Sequence, residues 1–134
     1  MNRPRTPAAS GVRIRERERA PADSMLRRMV AAIRAIPRGK VSTYGAIAHA
    51  AGYPGAARRA AWVLHRSFGL PWQRVVGAGG EIKLRGDAAI EQRLRLEAEG
   101  VIFRGRRVDM KRHEFKFPRN LVPGARKAET KPRR

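Results

Sequence analysis

Thr43-Tyr44-Gly45-Ala46-Ile47-Ala48-His49-Ala50-Ala51-Gly52-Tyr53-Pro54-Gly55-Ala56-Ala57-Arg58-Arg59 is the stretch on which the fold turns. Thr43 or Ser42 can cap a short helix over 44–51, because a hydroxyl before the first turn can accept from one of its unpaired N–H groups. Gly52 suits the left-handed position that closes a helix, and Pro54 suits the first turn of the next one. The second helix should run from about Gly55 to Arg66. Two helices joined by a tight glycine-containing turn form a helix-turn-helix.

Upstream, Met25, Leu26, Met29, Val30, Ile33 and Ile36 recur at helical spacing, with Arg27, Arg28 and Arg34 mostly on the other side. Asp23-Ser24 offers that helix an N-cap, and Pro37-Arg38-Gly39 stops it. Downstream, Gln73 to Val76 reads as a β-like run. With the turn Gly77-Ala78-Gly79-Gly80 and Glu81 to Leu84, it suggests a hairpin or wing. Asp87 is the expected cap of a further helix that places Ile90, Leu94 and Ala98 toward the core and ends at Gly100. Val101-Ile102-Phe103 and Val108-Asp109-Met110 flank a possible second hairpin around Arg104 to Arg107. The expected class is mainly α with a small β-hairpin or wing, a winged-helix-like helix-turn-helix domain.

The chain has 134 residues, with 31 Lys and Arg against 11 Asp and Glu, a formal net charge of +20. That excess points to a polyanionic partner, nucleic acid before an acidic membrane surface. Residues 1–24 hold six arginines and three acids, and residues 104–134 hold twelve basic and three acidic side chains. Three regions are therefore expected: a basic, flexible arm over 1–24, one DNA-binding domain over 25–117, and a basic, flexible tail over 118–134. Within the arm, Arg13 to Arg19 could form a charged helical turn. No apolar run approaches membrane-spanning length, and no hydrophobic signal segment follows the basic start. Zero cysteines exclude disulfide and thiol chemistry and fit a reducing interior. A soluble, cytoplasmic monomer is expected, nucleoid-associated if bacterial.

The candidate site residues each carry a plain structural reading and a functional one. Pro54 to Ala61 places five small side chains around Arg58 and Arg59. This could be an alanine-rich packing helix, or one whose small face lets its backbone approach a narrow groove. Trp72 taken alone is a packing residue. Its flanks alter that: Pro71 rigidifies the approach, and Gln73 and Arg74 are polar where a core strand should be apolar. His49, His65 and His113 are scattered with no cysteine to complete a zinc set. The serines and threonines lack an activating context, and Glu97 and Glu99 read as solvent-facing or salt-bridged carboxylates. No metal or cofactor is expected.

Four segments together resemble the alkylguanine-DNA alkyltransferases. Ile36 to Gly45 is similar to the segment opening their DNA-binding domain, and Gly52 to Arg58 to the start of their recognition helix. Pro71-Trp72-Gln73-Arg74-Val75-Val76 is similar to their Pro-Cys-His-Arg-Val active-site strand, and Leu96 to Gly100 to their closing helix. The resemblance covers roughly Met25 to Val101, in the family's order. With tryptophan in the cysteine's place it resembles the alkyltransferase-like proteins, the subgroup that binds alkylated guanine without removing the alkyl group.

The resemblance implies minor-groove docking and rotation of the damaged guanine out of the stack. Arg58 matches the arginine that fills the vacated space, where a planar guanidinium can stack and hydrogen-bond the orphaned base. Tyr44 matches the tyrosine beside the rotated nucleotide's phosphate. Both would offset part of the few kcal/mol that unstacking costs. Tyr44, Trp72, Gln73, Val75 and Arg85 are the implied alkylguanine pocket, and Thr43, Arg59 and Arg74 are implied phosphate contacts. Gln73 stands where the enzymes carry the histidine that relays the thiol proton toward a glutamate, here Glu99. An amide cannot shuttle that proton at neutral pH. Arg85 falls where alkyltransferase-like proteins have an arginine. A cation facing alkylated guanine gains about 1–2 kcal/mol when desolvated; the alternative is a phosphate-binding arginine on a wing.

The implied function is non-enzymatic recognition of O6-alkylguanine in double-stranded DNA, followed by handover to nucleotide excision repair proteins. The competing readings are a general basic helix-turn-helix protein without lesion selectivity, and an enzyme using another alkyl acceptor.

Overall fold

The computed structural model describes residues 22–118. Helix α1, Asp23–Ala35, buries Met29, Ala32 and Ile33 on the stripe set by the apolar spacing, and Ile36 continues it just past the helix end. Asp23 lies inside the first turn and the cap position falls on Ala22, with no side-chain cap. The expected Asp23-Ser24 cap is therefore replaced by an acidic first turn, favourable to the helix dipole. Of the expected arm over 1–24 only Ala22 to Ser24 are described, and of the expected tail only Pro118. The charged turn at 13–19 lies outside the described residues. No helix among the described residues is long and apolar enough to cross a membrane.

Strand β1, Ser42–Thr43, leads into α2, Tyr44–Ala50, which Thr43 caps by accepting from the Ala46 N–H at 3.0 Å. Gly52, at φ 95°, closes α2, and the Tyr53 N–H returns to the Ala48 carbonyl at 2.9 Å. Helix α3, Ala57–Arg66, begins two residues later than expected, with Pro54 and Gly55 in the preceding turn. Ala60 and Val63 bury against α1 and α2.

The expected hairpin over 73–84 does not form. Trp72–Arg74 is instead a turn of 3-10 helix, and β2, Val75–Val76, pairs parallel with β1, Ser42 beside Val75 and Thr43 beside Val76. A parallel pair needs a long crossover, which α2 and α3 supply. Successive strand residues face opposite ways, so the ladder separates two cores. Val75 joins the helical core with Met29, Ile33, Ile47 and Val63, whereas Val41 and Val76 join Leu96, Val101 and Val108. Each fully buried side chain of this size contributes about 1.5–3 kcal/mol relative to exposure.

Helix α4, Asp87–Ala98, has its cap position at Gly86, and Asp87 opens the first turn without capping it. Its inner face is Gln92 and Leu96. Ile90 and Leu94 are each 60% exposed and Ala98 is exposed, the reverse of the expected facing. The second hairpin does form: β3, Phe103–Arg104, pairs antiparallel with β4, Arg107–Val108. Arg93 ties it to α4, its guanidinium 4.2 Å from the Phe103 ring centre and donating to the Gly105 carbonyl. A last turn, α5, Met110–His113, brings the chain back beside Val41. There the His113 Nε2 accepts from the Ile102 N–H, which leaves its Nδ1–H to donate to the Gly39 carbonyl.

Candidate nucleic-acid interface

Tyr44 opens α2, Leu64 and His65 end α3, and Trp72 follows Pro71; these residues meet around a cavity of about 370 Å³. Val75 and the α4 residues Ala88 and Gln92 complete its inner wall, and Phe68 and Leu84 its rim. Pockets of roughly this size accept small organic groups, and its lining is mostly apolar with few polar atoms. Tyr44 is half-buried, and burial pushes its hydroxyl pKa up, so the group remains a donor through neutral pH.

Trp72 is held from several directions. Its backbone N–H donates to the Leu70 carbonyl at 2.7 Å, and the Arg95 guanidinium lies 5.3 Å from its ring centre. The following residues turn away from the cavity. Gln73 donates its amide to Glu99 Oε2 at 2.7 Å, and Arg74 places Nε and Nη2 on the same carboxylate and Nη1 on the Ile36 carbonyl. The Gly39 N–H also donates to Glu99. Burial alone would raise the Glu99 pKa, but the hydrogen bonds from Arg74, Gln73 and Gly39 and the Arg74 charge outweigh it, holding the carboxyl below the usual range. Gln92, fully buried, donates to the Gln73 and Val75 carbonyls. Helix α4 thus clamps the Trp72–Val75 turn at both ends.

Of the expected pocket, Tyr44, Trp72 and Val75 come together, whereas Gln73 and Arg85 do not line the cavity. Gln73 is drawn to Glu99, and Arg85 is exposed one residue beyond the lining Leu84. Arg74, implied as a phosphate contact, is partly buried, and in the free protein its guanidinium is committed to Glu99 and the Ile36 carbonyl. Thr43 keeps its place at the start of α2, and Arg59 is exposed at the start of α3. Arg58 is also exposed, with no side-chain hydrogen bond or ion pair among the described residues. It precedes His65 by two helical turns, so both lie on one face of α3, separated by roughly 10 Å along its axis.

Leu64, His65, Phe68, Leu84, Ala88 and Gln92 were not foreseen at the cavity. Phe68 carried a readable signal: an aromatic between Ser67 and Gly69, after a basic helix, and it is 93% exposed. The others are ordinary helix or loop residues until the chain is folded. Among the described residues no cluster of His, Cys, Asp and Glu could hold a metal ion.

The family described as 6-O-methylguanine DNA methyltransferase, DNA binding domain, matches residues 24–101. A DNA base-flipping protein of Vibrio parahaemolyticus is 48% identical over 82 residues, covering 59% of this chain and 82% of that protein. Alkyltransferase-like protein 1 of Schizosaccharomyces pombe is 43% identical over 84 residues, 59% of this chain and 78% of that one. The crystal structure of S. pombe Atl1 in complex with damaged DNA containing O6-carboxymethylguanine superposes with a TM-score of 0.62 at 30% identity. That superposition covers 72% of this chain and 99% of the other.

Proposed function

From its membership of the 6-O-methylguanine DNA methyltransferase DNA-binding-domain family, as an alkyltransferase-like protein, we propose that this chain recognises O6-alkylguanine in duplex DNA without repairing it. The observation that carries the reading is Trp72 in the wall of the cavity, at the position that the resemblance gives to the acceptor thiol. An indole packs against an alkyl group but offers no thiolate, and the chain has no cysteine to supply one. Ser67 lies on the lining with no base hydrogen-bonded to it among the described residues.

The docking that fits is helix-turn-helix against the minor groove, with the small residues Ala56 and Ala57 letting the start of α3 approach the backbone. Arg58 enters the stack as the damaged guanine rotates into the cavity. Tyr44 donates toward the rotated backbone, and the base meets Trp72, Val75 and the rim. Arg85, exposed beside Leu84, closes on the base from the rim once DNA is bound. The described domain reads the lesion, and the basic segments on either side add sequence-independent phosphate contacts. Because the alkyl group stays on the base, another pathway must remove it, and nucleotide excision repair is the handover proposed. The place of action is the cytoplasm, at the nucleoid in a bacterium.

The net charge of +20 favours a second reading, a general DNA-binding protein. Equilibrium binding to two duplexes differing only by a methyl group on one guanine O6, at fixed salt, separates the two. The expected result is preference for the methylated duplex, with the methyl still on the DNA by mass. Arg58→Ala should weaken binding, and Trp72→Ala should erode selectivity. Equal affinities would establish the general binder. Loss of the methyl group would establish an enzyme.

A further inference from the structure

Helix α4 has two working sides. Ala88 and Gln92 line the lesion cavity, whereas Ile90 lies two residues, or roughly 200°, around the helix from Ala88. Ile90 and Leu94 form an apolar pair one turn apart, each 60% exposed. With Ile82 they form the apolar side of an open groove of about 810 Å³, bounded across from α4 by Arg106 and Arg107. Contiguous apolar surface rimmed by charge marks interaction sites.

The charges state what fits there. Both carboxylates of the groove have cationic neighbours, Glu97 with Arg93 at 3.1 Å and Glu81 with Lys83 at 3.6 Å. Arg106 and Arg107 make no ion pair with any described residue, so the groove has surplus positive charge. A second copy would bring the same arginines and a net charge of +20. Residues 119–134 of this chain, with six basic side chains and one acid, are equally mismatched. Duplex DNA could meet the arginines, but its phosphates gain nothing from Ile82, Ile90 and Leu94.

We propose that this outer face of α4, with the β3–β4 turn, is a docking groove for an acidic amphipathic helix of a partner protein. The partner's apolar stripe would lie on Ile82, Ile90 and Leu94, and its carboxylates would meet Arg106 and Arg107. Helix-in-groove recognition reads such anchors at i and i+4 spacing. The groove faces away from the cavity, so lesion and partner can be held together. As the place where a repair factor joins a lesion-bound protein, it rests on the sensor reading; as a binding groove it does not.

The test uses the full chain saturated with O6-methylguanine duplex. The probe is a synthetic helical peptide with leucines on one stripe flanked by glutamates, against a scrambled peptide of equal composition. The expected result is methyl NMR shifts at Ile82, Ile90 and Leu94 from the patterned peptide alone. Ile90→Glu with Leu94→Glu should lower its affinity at least tenfold, leaving lesion-duplex affinity unchanged; both side chains are exposed, so the fold tolerates the charges. Arg106→Ala with Arg107→Ala should weaken it severalfold. Equal binding of both peptides, or shifts confined to the α2–α3 face, would overturn the groove. So would competition by unmodified duplex at these methyls, or self-association abolished by the double glutamate variant. Should the protein show no preference for methylated DNA while the patterned peptide still binds here, the sensor reading falls and the groove stands.

Discussion

Glu99 carries more of the site than any residue inside the cavity. The family resemblance implies the end of a proton relay at this position; in the structure Glu99 is a strut joining Gly39, Gln73 and Arg74. Glu99→Ala would leave the Arg74 charge, 18% exposed, without its partner. A loss on the order of 3 kcal/mol in denaturant unfolding is expected, as for breaking a buried pair from one side. The pH dependence follows from the lowered Glu99 pKa. A carboxyl held low in the folded chain contributes fully above its unfolded value of about 4.3, and that stability is lost as pH falls through the folded value. The wild type should therefore weaken more steeply below that pH than Glu99→Gln, which has no such proton to bind; parallel acid limbs in the two would refute the assignment. Phe68 presents the opposite case. At 93% exposure its ring supports nothing in the folded chain, so Phe68→Ala should leave unfolding within about 0.5 kcal/mol. Lesion-duplex affinity should fall by roughly 1–3 kcal/mol if the ring stacks on a base at the cavity mouth. An unchanged affinity would remove Phe68 from the interface.

At the scale of elements, the site depends on how short pieces are tied together. The Ala78–Gly80 turn meets β4 so closely that a Cβ on Gly80 would lie 2.5 Å from the Val108 carbonyl oxygen, and its φ is 89°. Gly80→Ala should destabilise by more than about 1 kcal/mol, because strain and backbone clash act together. Gly45, inside α2, has nothing within 4 Å of its Cβ position. Gly45→Ala should therefore be neutral or stabilise by up to about 1 kcal/mol, since alanine favours the helix. Thermal unfolding of the pair checks both, and a Gly80→Ala chain as stable as wild type would show that the turn can yield. Helix α4 also shows where pattern reading goes astray. Periodicity counts apolar residues, and Ile90 with Leu94 is the longer apolar stripe. The buried side is set instead by Leu96 together with Gln92, a polar residue whose amide meets the carbonyls of Gln73 and Val75. The two hydrogen bonds donated by the Gln92 Nε2 hold that face inward, although its buried Oε1 has no partner among the described residues.

For the molecule as a whole, charge and shape divide the work. Affinity for any duplex should fall steeply with salt, by roughly a thousandfold or more between 50 and 200 mM if six or more phosphates are neutralised. On the proposed lesion reading, the ratio between methylated and plain duplexes should change far less, because that reading places selectivity in the partly buried cavity. Ending the chain at Pro118 removes six basic side chains and one acid. It should flatten the salt slope while leaving that ratio in place. A truncated chain with an unchanged slope would show that the tail makes no phosphate contact; a lost ratio would mean that the tail takes part in selectivity.

The helix-turn-helix, Thr43 as cap, Gly52 as terminator, and the meeting of Tyr44, Trp72 and Val75 were all legible in the residues. The first three rest on local chemistry, capping geometry and positive φ, whereas the meeting of Tyr44 with Trp72 and Val75 was implied only by the family resemblance. The parallel pairing of Val75-Val76 with Ser42-Thr43 was not legible, because it joins segments more than thirty residues apart. Nor was the commitment of Gln73 and Arg74 to Glu99, because a polar side chain beside a pocket can turn either way until burial decides. Sequence by itself determined the class of partner and the absence of a thiol acceptor, since charge and composition need no fold. Only the tertiary structure decided which side of α4 is inside, because that choice is made by the carbonyls Gln92 finds across the core.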